Sequence, residues 1–305
     1  MSAIIYTSHG ISLAGLAANI VLVPDVGQGS SILVKLPRGE TFLVDGGGFF
    51  DDSFDVGRAV LAPFLWHSGI RGLDYVVLTH DHPDHRNGLR FILSHFRVAH
   101  FWESGISENK RKTASLAEIA RKRGIPRSEI TELFGERTFG PCSVRIVHPS
   151  SDYLRNAWDG KDLNDVSLVM AVTYGNTRLI LPGDTGASVE RRFSQGGSFS
   201  GSSVPVSPHH GSDRSNSPLL LDRVRPETVI FFCGPDNAFG FPHASVLEEL
   251  RRRNIAHCRT DLDGAVHAAS DGRKWTITTE TARTATSQRI DRGGSIMIPE
   301  NRKVQ

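Results

Sequence analysis

The sequence predicts a mixed α/β domain, and three of its features carry that prediction. Short runs rich in Val, Ile, Leu and Phe recur along the chain, stretches with apolar residues at helical spacing lie between them, and turns rich in Gly, Asn and Asp separate the two. Hydrophobic residues make up 39% and charged residues 22% of the 305 positions, which supports an ordinary core and excludes wholesale disorder. That length suits one large domain or two small ones. With no repeat and no stretch that reads as a linker, we divide the chain into one domain over residues 1–280 and a disordered tail over 281–305, where it turns polar and aperiodic.

In chain order, residues 20–23 and 31–36 read as strands flanking the turn-rich Asp25-Val26-Gly27-Gln28-Gly29, and 41–44 as a third strand running into Asp45-Gly46-Gly47-Gly48. Three successive glycines mark a tight turn or a close passage of backbone against backbone. Residues 56–67 have helical spacing and stop before Gly69; residues 75–78 are a compact apolar strand ending at the densest histidine cluster; residues 87–95 read as a helix. Ser115-Leu116-Ala117-Glu118 reads as a capping box opening a helix that Gly124 and Pro126 end. Residues 143–147 form a strand ending at His148-Pro149. Residues 168–174 and 178–181 form a hairpin about Gly175-Asn176, its second strand ending at Gly183-Asp184. The Gly- and Ser-rich residues 194–203 should be a mobile loop. Residues 204–206 lead into His209-His210-Gly211-Ser212, followed by a strand over 228–232 and a helix over 244–253.

Several function classes drop out early. A net charge of +2 excludes a protein that coats DNA through a globally basic surface, so any nucleic-acid contact must be local. Lys110-Arg111-Lys112, Arg121-Lys122-Arg123 and Arg251-Arg252-Arg253 are solvated helix faces, or, if they flank a cleft, guides for a polyanion. Cys142, Cys233 and Cys258 are odd in number and contain no C-x-x-C pair, which points to free thiols in a reducing compartment. No run of 18 apolar residues crosses a membrane and residues 1–18 lack the basic start of a secretory signal, so a cytoplasmic location is expected. Neither a Walker loop nor a dinucleotide fingerprint is present. Trp102 and Trp158 either pack in the core or stack on a base at the rim of a site.

The chemistry concentrates in Thr79-His80-Asp81-His82-Pro83-Asp84-His85. His80 and His82 alternate, so an extended backbone points both imidazoles the same way. Asp84 and His85 follow a proline-constrained bend and can face a second ion. A solvated polar loop is the plain alternative, but four potential ligands packed at a strand end in the order H-x-H-x-D-H are a poor product of chance. Imidazole with carboxylate suits zinc, with manganese or iron as alternatives.

That order resembles the signature of the metallo-β-lactamase superfamily, and so do Asp45-Gly46-Gly47, His148, Gly183-Asp184 and His209-His210-Gly211-Ser212. Within the superfamily, Asp25-Val26-Gly27-Gln28-Gly29, Asn164-Asp165-Val166-Ser167-Leu168, Pro208-His209-His210-Gly211-Ser212 and Thr260-Asp261-Leu262-Asp263-Gly264-Ala265 look like the hydrolase domain of ComEC-type competence proteins. Ser30 and Phe241 depart from that pattern, standing where an acidic residue and a histidine are expected. The channel-forming membrane part of those proteins has no counterpart in the sequence.

The resemblance implies a four-layer αβ/βα sandwich with two divalent metal ions at one edge. His80, His82 and His148 would hold the first ion, Asp84, His85 and His210 the second, and Asp184 would bridge them. Either member of His209-His210 can be the late ligand, with His243 a rival; we favour His210, leaving His209 to contact the substrate or pass a proton to the leaving group. Asp84 and His209 are thus the residues closest to the chemistry. Asp45 would orient a ligand histidine, and Asp25 and Asn164 shape the floor unless they only make turns. The implied activity is that of a metal-dependent phosphodiesterase acting on DNA, single-stranded DNA included, as one partner of a separate membrane channel. A small phosphodiester such as a phosphorylcholine ester, a carboxylic ester, thioester or lactam is the alternative substrate, and a non-catalytic binding module of the same fold is the third reading. Oligomeric state leaves no mark on the sequence.

Overall fold

The computed structural model describes residues 19–49, 54–107, 110–156, 162–195 and 202–281. The tail beyond 281, residues 196–201 of the Gly- and Ser-rich stretch, and Trp158 lie outside them. Its strands, in chain order, are β1 (Asn19–Val23), β2 (Ile32–Lys35), β3 (Thr41–Val44), β4 (Gly72–Leu78), β5 (Arg97–Glu103), β6 (Arg127–Ser128), β7 (Gly135–Phe139), β8 (Cys142–His148), β9 (Val169–Tyr174), β10 (Thr177–Leu181), β11 (Ser202–Pro205), β12 (Thr228–Phe231), β13 (Ala256–Arg259), β14 (Val266–Ser270) and β15 (Trp275–Thr279).

One sheet has the order β15-β14-β1-β2-β3-β4-β5-β6 and the other β11-β10-β9-β8-β7, with β12 and β13 paired separately. The larger sheet is antiparallel from β15 to β3 and parallel from β3 to β6. The parallel part needs crossovers, and those are the helices Gly57–Leu61 (π), Ala62–His67, Leu89–His95 and Lys110–Arg123. The central strand β4 is buried through Val76, Val77 and Leu78, the continuous apolar run of a strand covered on both faces.

Period-two alternation sorts the side chains into layers. Val21, Val23, Ile32, Val34 and Val44 from the larger sheet meet Val144, Ile146, Met170, Val172 and Leu179 from the smaller one in a single cluster between the sheets. Leu33, Leu43, Val76 and Leu78 point the other way, onto Leu61, Leu65, Leu89, Leu93 and Leu116 of the outer helices. On the far face, Val169 and Ile180 pack against Tyr153, Val189, Phe193, Leu220 and Val224 from the helices Ser151–Asn156, Ala187–Gln195 and Pro218–Val224. The layers therefore run helix, sheet, sheet, helix, as expected.

One local expectation changes, and one alternative is resolved. The helix expected to begin at the Ser115 box spans Lys110–Arg123, because Lys-Arg-Lys are helix formers and the helix extends back through them. Trp102 is 4% exposed and packs with Phe42 and Tyr75 in the inter-sheet core, so it rims no site. Cys142, Cys233 and Cys258 are free and buried. The basic run at the end of the helix Ala244–Arg252 is an ion-paired face: Arg251 pairs with Glu248, Arg252 with Glu249, and Arg253 with Glu249 and Asp222. No helix among the described residues is long and apolar enough to cross a membrane.

Candidate metal centre

Strand β4 ends at Leu78, and the chain then passes through Thr79–His82 into the one-turn helix Pro83–Arg86, whose N1 proline is pre-set for that start. Residues of the motif that bind nothing hold it in shape. The Asp45 carboxylate accepts from the Thr79 amide (2.8 Å) and the Thr79 hydroxyl (2.8 Å). Buried Arg86 donates to the Asp81 carboxylate at 2.6 Å, and Asp81 also accepts from Ser107. Next door, the amide of Ser30 donates to the Asp84 carbonyl (3.1 Å) and that of Gly46 to the His85 carbonyl (2.7 Å). Gly29, at φ +120°, lies so close that a Cβ there would sit 2.4 Å from the Asp84 carbonyl oxygen. The two Gly-containing turns singled out in the sequence are thus the walls against which the histidine loop rests.

Four ligand-type groups converge. One donor atom each from Asp84, His85, Asp184 and His210 lie within 4.8 Å of one another, and all four residues are buried. The two histidines are oriented alike. His85 Nδ1 is 2.7 Å from the Asp45 carboxylate and His210 Nδ1 is 3.1 Å from the Phe232 carbonyl. Both acceptors have only lone pairs to offer, so Nδ1 carries the proton in each ring and Nε2 faces inward. His85 Nε2 stands 3.2 Å from Asp184 Oδ1, and His210 Nε2 stands 3.5 Å from both Asp84 Oδ2 and Asp184 Oδ2. Neither Nε2 makes a properly directed hydrogen bond, although both are fully enclosed.

The charges agree. Burial opposes a charge on His85, but Asp184, Asp45 and Asp84 outweigh it and lift its pKa well above the ordinary imidazole range. In the same way burial is overcome at His210 by Asp184 and Asp84, which push it up to about 9. Burial would raise the pKa of Asp184, but His85 and His210 hold its carboxyl well below the usual range. Two buried carboxylates therefore call for positive charge at the point where the two Nε2 atoms converge.

His80 and His82 adjoin this group. The Thr79 hydroxyl gives its hydrogen to Asp45 and so accepts from His80 Nδ1 at 3.1 Å, which leaves His80 Nε2 as a lone pair. That atom is 3.0 Å from His82 Nδ1 and 3.9 Å from Asp184 Oδ2. Two nitrogens on one tetrahedral zinc stand roughly 3.3 Å apart, given bonds of about 2.0–2.1 Å. Burial, with His85 and His82 nearby, drops the His80 pKa well below 6.5 and keeps the ring neutral, as a ligand must be. The buried His and Asp cluster fits a dinuclear metal site.

The late histidines separate clearly. His209 and His210 both adopt left-handed backbone, at φ 48° and 54°. His210 enters the cluster, whereas the side chain of His209 stays 26% exposed with Nε2 3.9 Å from Asp184 Oδ2. His243 is occupied elsewhere: Nδ1 accepts from the Asp213 amide at 3.1 Å and Nε2 is 3.1 Å from the Phe239 carbonyl. Phe241 stacks against His210 with ring centres 6.1 Å apart, and the half-exposed Phe239 stacks on Phe241 at 5.4 Å.

His148 is placed differently from the others. Its Nε2 is 2.8 Å from the Asp165 carbonyl, its ring lies on Tyr153, and among the described residues no hydrogen bond or ion pair joins it to the cluster. It fixes instead the turn Asn164–Val166, whose downstream residues brace the site: Leu168 N donates to the Thr79 carbonyl (2.9 Å) and Ser167 Oγ accepts from the Asp184 amide (3.2 Å). Asn164 Oδ1 on that turn is buried with no partner. Sequence reasoning missed the bracing by Thr79, Asp81 and Arg86; the identity of Asp81 and Arg86 as an i, i+5 charge pair was the only signal.

Residues 24–179, just over half the chain, match the family described as the metallo-β-lactamase superfamily. The chain belongs to that superfamily. As a metallo-β-lactamase-fold protein it falls in a family of metal-dependent hydrolases and resembles the ComEC-type competence proteins. It is 29% identical over 255 residues to ComE operon protein 3 of Bacillus subtilis, covering 79% of this chain and 32% of that protein. It is 29% identical over 249 residues to Competence protein ComA of Neisseria gonorrhoeae, covering 81% and 31%. The chain thus spans about a third of the length of these relatives. Among solved metallo-β-lactamase-like structures, zinc-bound PqqB from Methylobacterium extorquens aligns at 11% identity with a TM-score of 0.49, covering 79% of this chain and 97% of that one. CmlA, a diiron β-hydroxylase from Streptomyces venezuelae, aligns at 14% and 0.48, covering 82% and 54%.

Proposed function

We propose that the protein is a dinuclear-metal phosphodiesterase acting on DNA. The observation that carries this reading is the enclosed meeting of His85 Nε2 and His210 Nε2 with Asp84 and Asp184, two inward-facing imidazole nitrogens and two carboxylates within reach of one another. His80 and His82 would hold one ion, Asp84, His85 and His210 the other, with Asp184 between them; Asn164 Oδ1 and His148 are the two candidates to complete the first. Zinc suits this donor set, and manganese or iron are the alternatives. Bound ions would supply an acidified water and neutralise charge building on phosphoryl oxygens.

The chain's own residues do the positioning. Asp45 and the Phe232 carbonyl fix the tautomers of His85 and His210. His209, partly exposed with Nε2 3.9 Å from Asp184 Oδ2, is the group to touch the substrate, and in its protonated form it can hand a proton to the leaving oxygen. Phe239, half exposed on Phe241 beside that histidine, offers a face on which a base can stack, which favours a nucleic acid over a small ester. The names of the competence-protein relatives point the same way.

The test is hydrolysis of bis-p-nitrophenyl phosphate and of fluorescent single-stranded DNA by metal-stripped protein, before and after addition of zinc or manganese. Metal-restored cleavage of both, lost in Asp184→Asn, is the expected result. Cleavage of the small ester alone would move the substrate to small phosphodiesters. Silence on both with metal bound would overturn the phosphodiesterase reading and leave a carboxylic ester, a thioester or a binding role.

A further inference from the structure

The outer face of the smaller sheet is divided. Val169 and Ile180 are apolar and covered by helices, as that face should be. The rest of it carries Ser143 and Arg145 from β8, Ala171 and Thr173 from β9, and Arg178 from β10. The strand register puts Ser143, Thr173 and Arg178 in one row across three strands, and Arg145 beside Ala171 in the next. Small side chains thus form a floor with a guanidinium on either side. Arg192 and Tyr153 rise as a wall, Arg192 over the Tyr153 ring at 5.3 Å, and Phe134 stands at the mouth, 46% exposed. The cavity is open to solvent and holds about 440 Å³, within the roughly 300–1,000 Å³ of small-molecule sites.

The described residues that line this cavity include more cationic than acidic side chains. Three arginines face two carboxylates, Glu136 and Asp152. Glu136 lies opposite Arg145 in the register, yet no ion pair joins Arg145 or Arg192 to a carboxylate among the described residues. Burial, and after it the neighbouring Arg145, hold the Arg178 pKa below its usual value against the opposing pull of Glu136, so the two cations are near enough to repel. An anion held between them would relieve that repulsion, and a planar guanidinium matches a phosphate through paired hydrogen bonds.

We propose that this cavity is a nucleotide-binding site, with the phosphate held by Arg145, Arg178 and Arg192 and the base against Phe134. It uses none of Asp84, His85, Asp184 and His210, although His148, a candidate for the first ion, also lines it, and it does not depend on the function proposed for that cluster. The test is calorimetric titration of the full chain, metal-stripped and kept in chelator so that the cluster cannot hold phosphate, with deoxyadenosine monophosphate, inorganic phosphate and deoxyadenosine. The monophosphate should bind, Arg145→Ala should weaken it about tenfold or more, Phe134→Ala should weaken it less, and His85→Ala should leave it unchanged. Arg145 is solvent-facing, so its replacement leaves the fold intact. No binding of the monophosphate, or equal binding in Arg145→Ala, overturns the proposal. Inorganic phosphate binding as tightly as the monophosphate overturns the nucleotide assignment and leaves a bare anion site.

Discussion

At the scale of single residues, the site depends on groups that would never touch an ion. Asp45 accepts from Thr79 and from His85 Nδ1 while wholly buried, so it sets both the path of the loop and the tautomer of His85. Asp45→Asn should therefore lower metal affinity about 10–100-fold, read by competition with a chromophoric chelator; unchanged affinity would show that Asp45 only supports the fold. A second residue gives a pH signature. Glu103 ends β5, is 2% exposed, and has its carboxyl pushed up to about 7 by burial, against the pull of Arg127 at 2.8 Å. Because the folded protein holds this proton more tightly than the unfolded chain, Glu103 favours folding below pH about 4.5, and that advantage is lost as pH rises through 7. Glu103→Gln cannot titrate. Thermal melts of the variant and the parent should diverge in the variant's favour by up to about 3 kcal/mol between pH 4.5 and 7, and parallel curves would contradict this.

Elements matter here mostly where they meet. The turn after β1 reaches the histidine loop through Gly29, whose φ and whose 2.4 Å Cβ approach to the Asp84 carbonyl leave no room for a side chain. Gly29→Ala should cost about 1–3 kcal/mol by denaturant unfolding and also reduce bound metal. Gly39→Ala, at φ +105° with open space around it, should pay only the backbone strain and keep its metal. The legibility of elements in the sequence follows the same logic. The hairpin of β9 and β10 and the helix Leu89–His95 are visible because apolar periodicity and a good turn mark them. Strands β5, β13 and β15 are not. Arg97, His100, His257, Thr276 and Thr278 interrupt their apolar runs, and long-range partners rather than local pattern make them strands. The motif itself gave His80, His82, Asp84 and His85 directly, whereas the bracing by Arg86 and the unpartnered oxygen of Asn164 appear only once distant segments are folded together.

For the whole molecule, the four clustered ligand-type residues come from the loop after β4, the turn after β10 and the turn after β11. Those segments belong to different sheets, so a bound ion ties one half of the sandwich to the other. Metal present at about a thousandfold excess over its Kd should add about 4 kcal/mol of stability, a rise in melting temperature of roughly 10 °C. A scan with and without chelator measures it, and coincident melts would mean that the cluster does not hold metal in the folded protein. The wide sequence spacing of these ligands also fixes a time order. While the chain is being made, His80 to His85 emerge long before Asp184 and His210 exist to complete their set. A nascent chain has only half a chelator, and an ion caught then is caught weakly. Full grip would begin only when the second sheet has closed on the first, so metal loading would be a late event and would report that the two halves have joined.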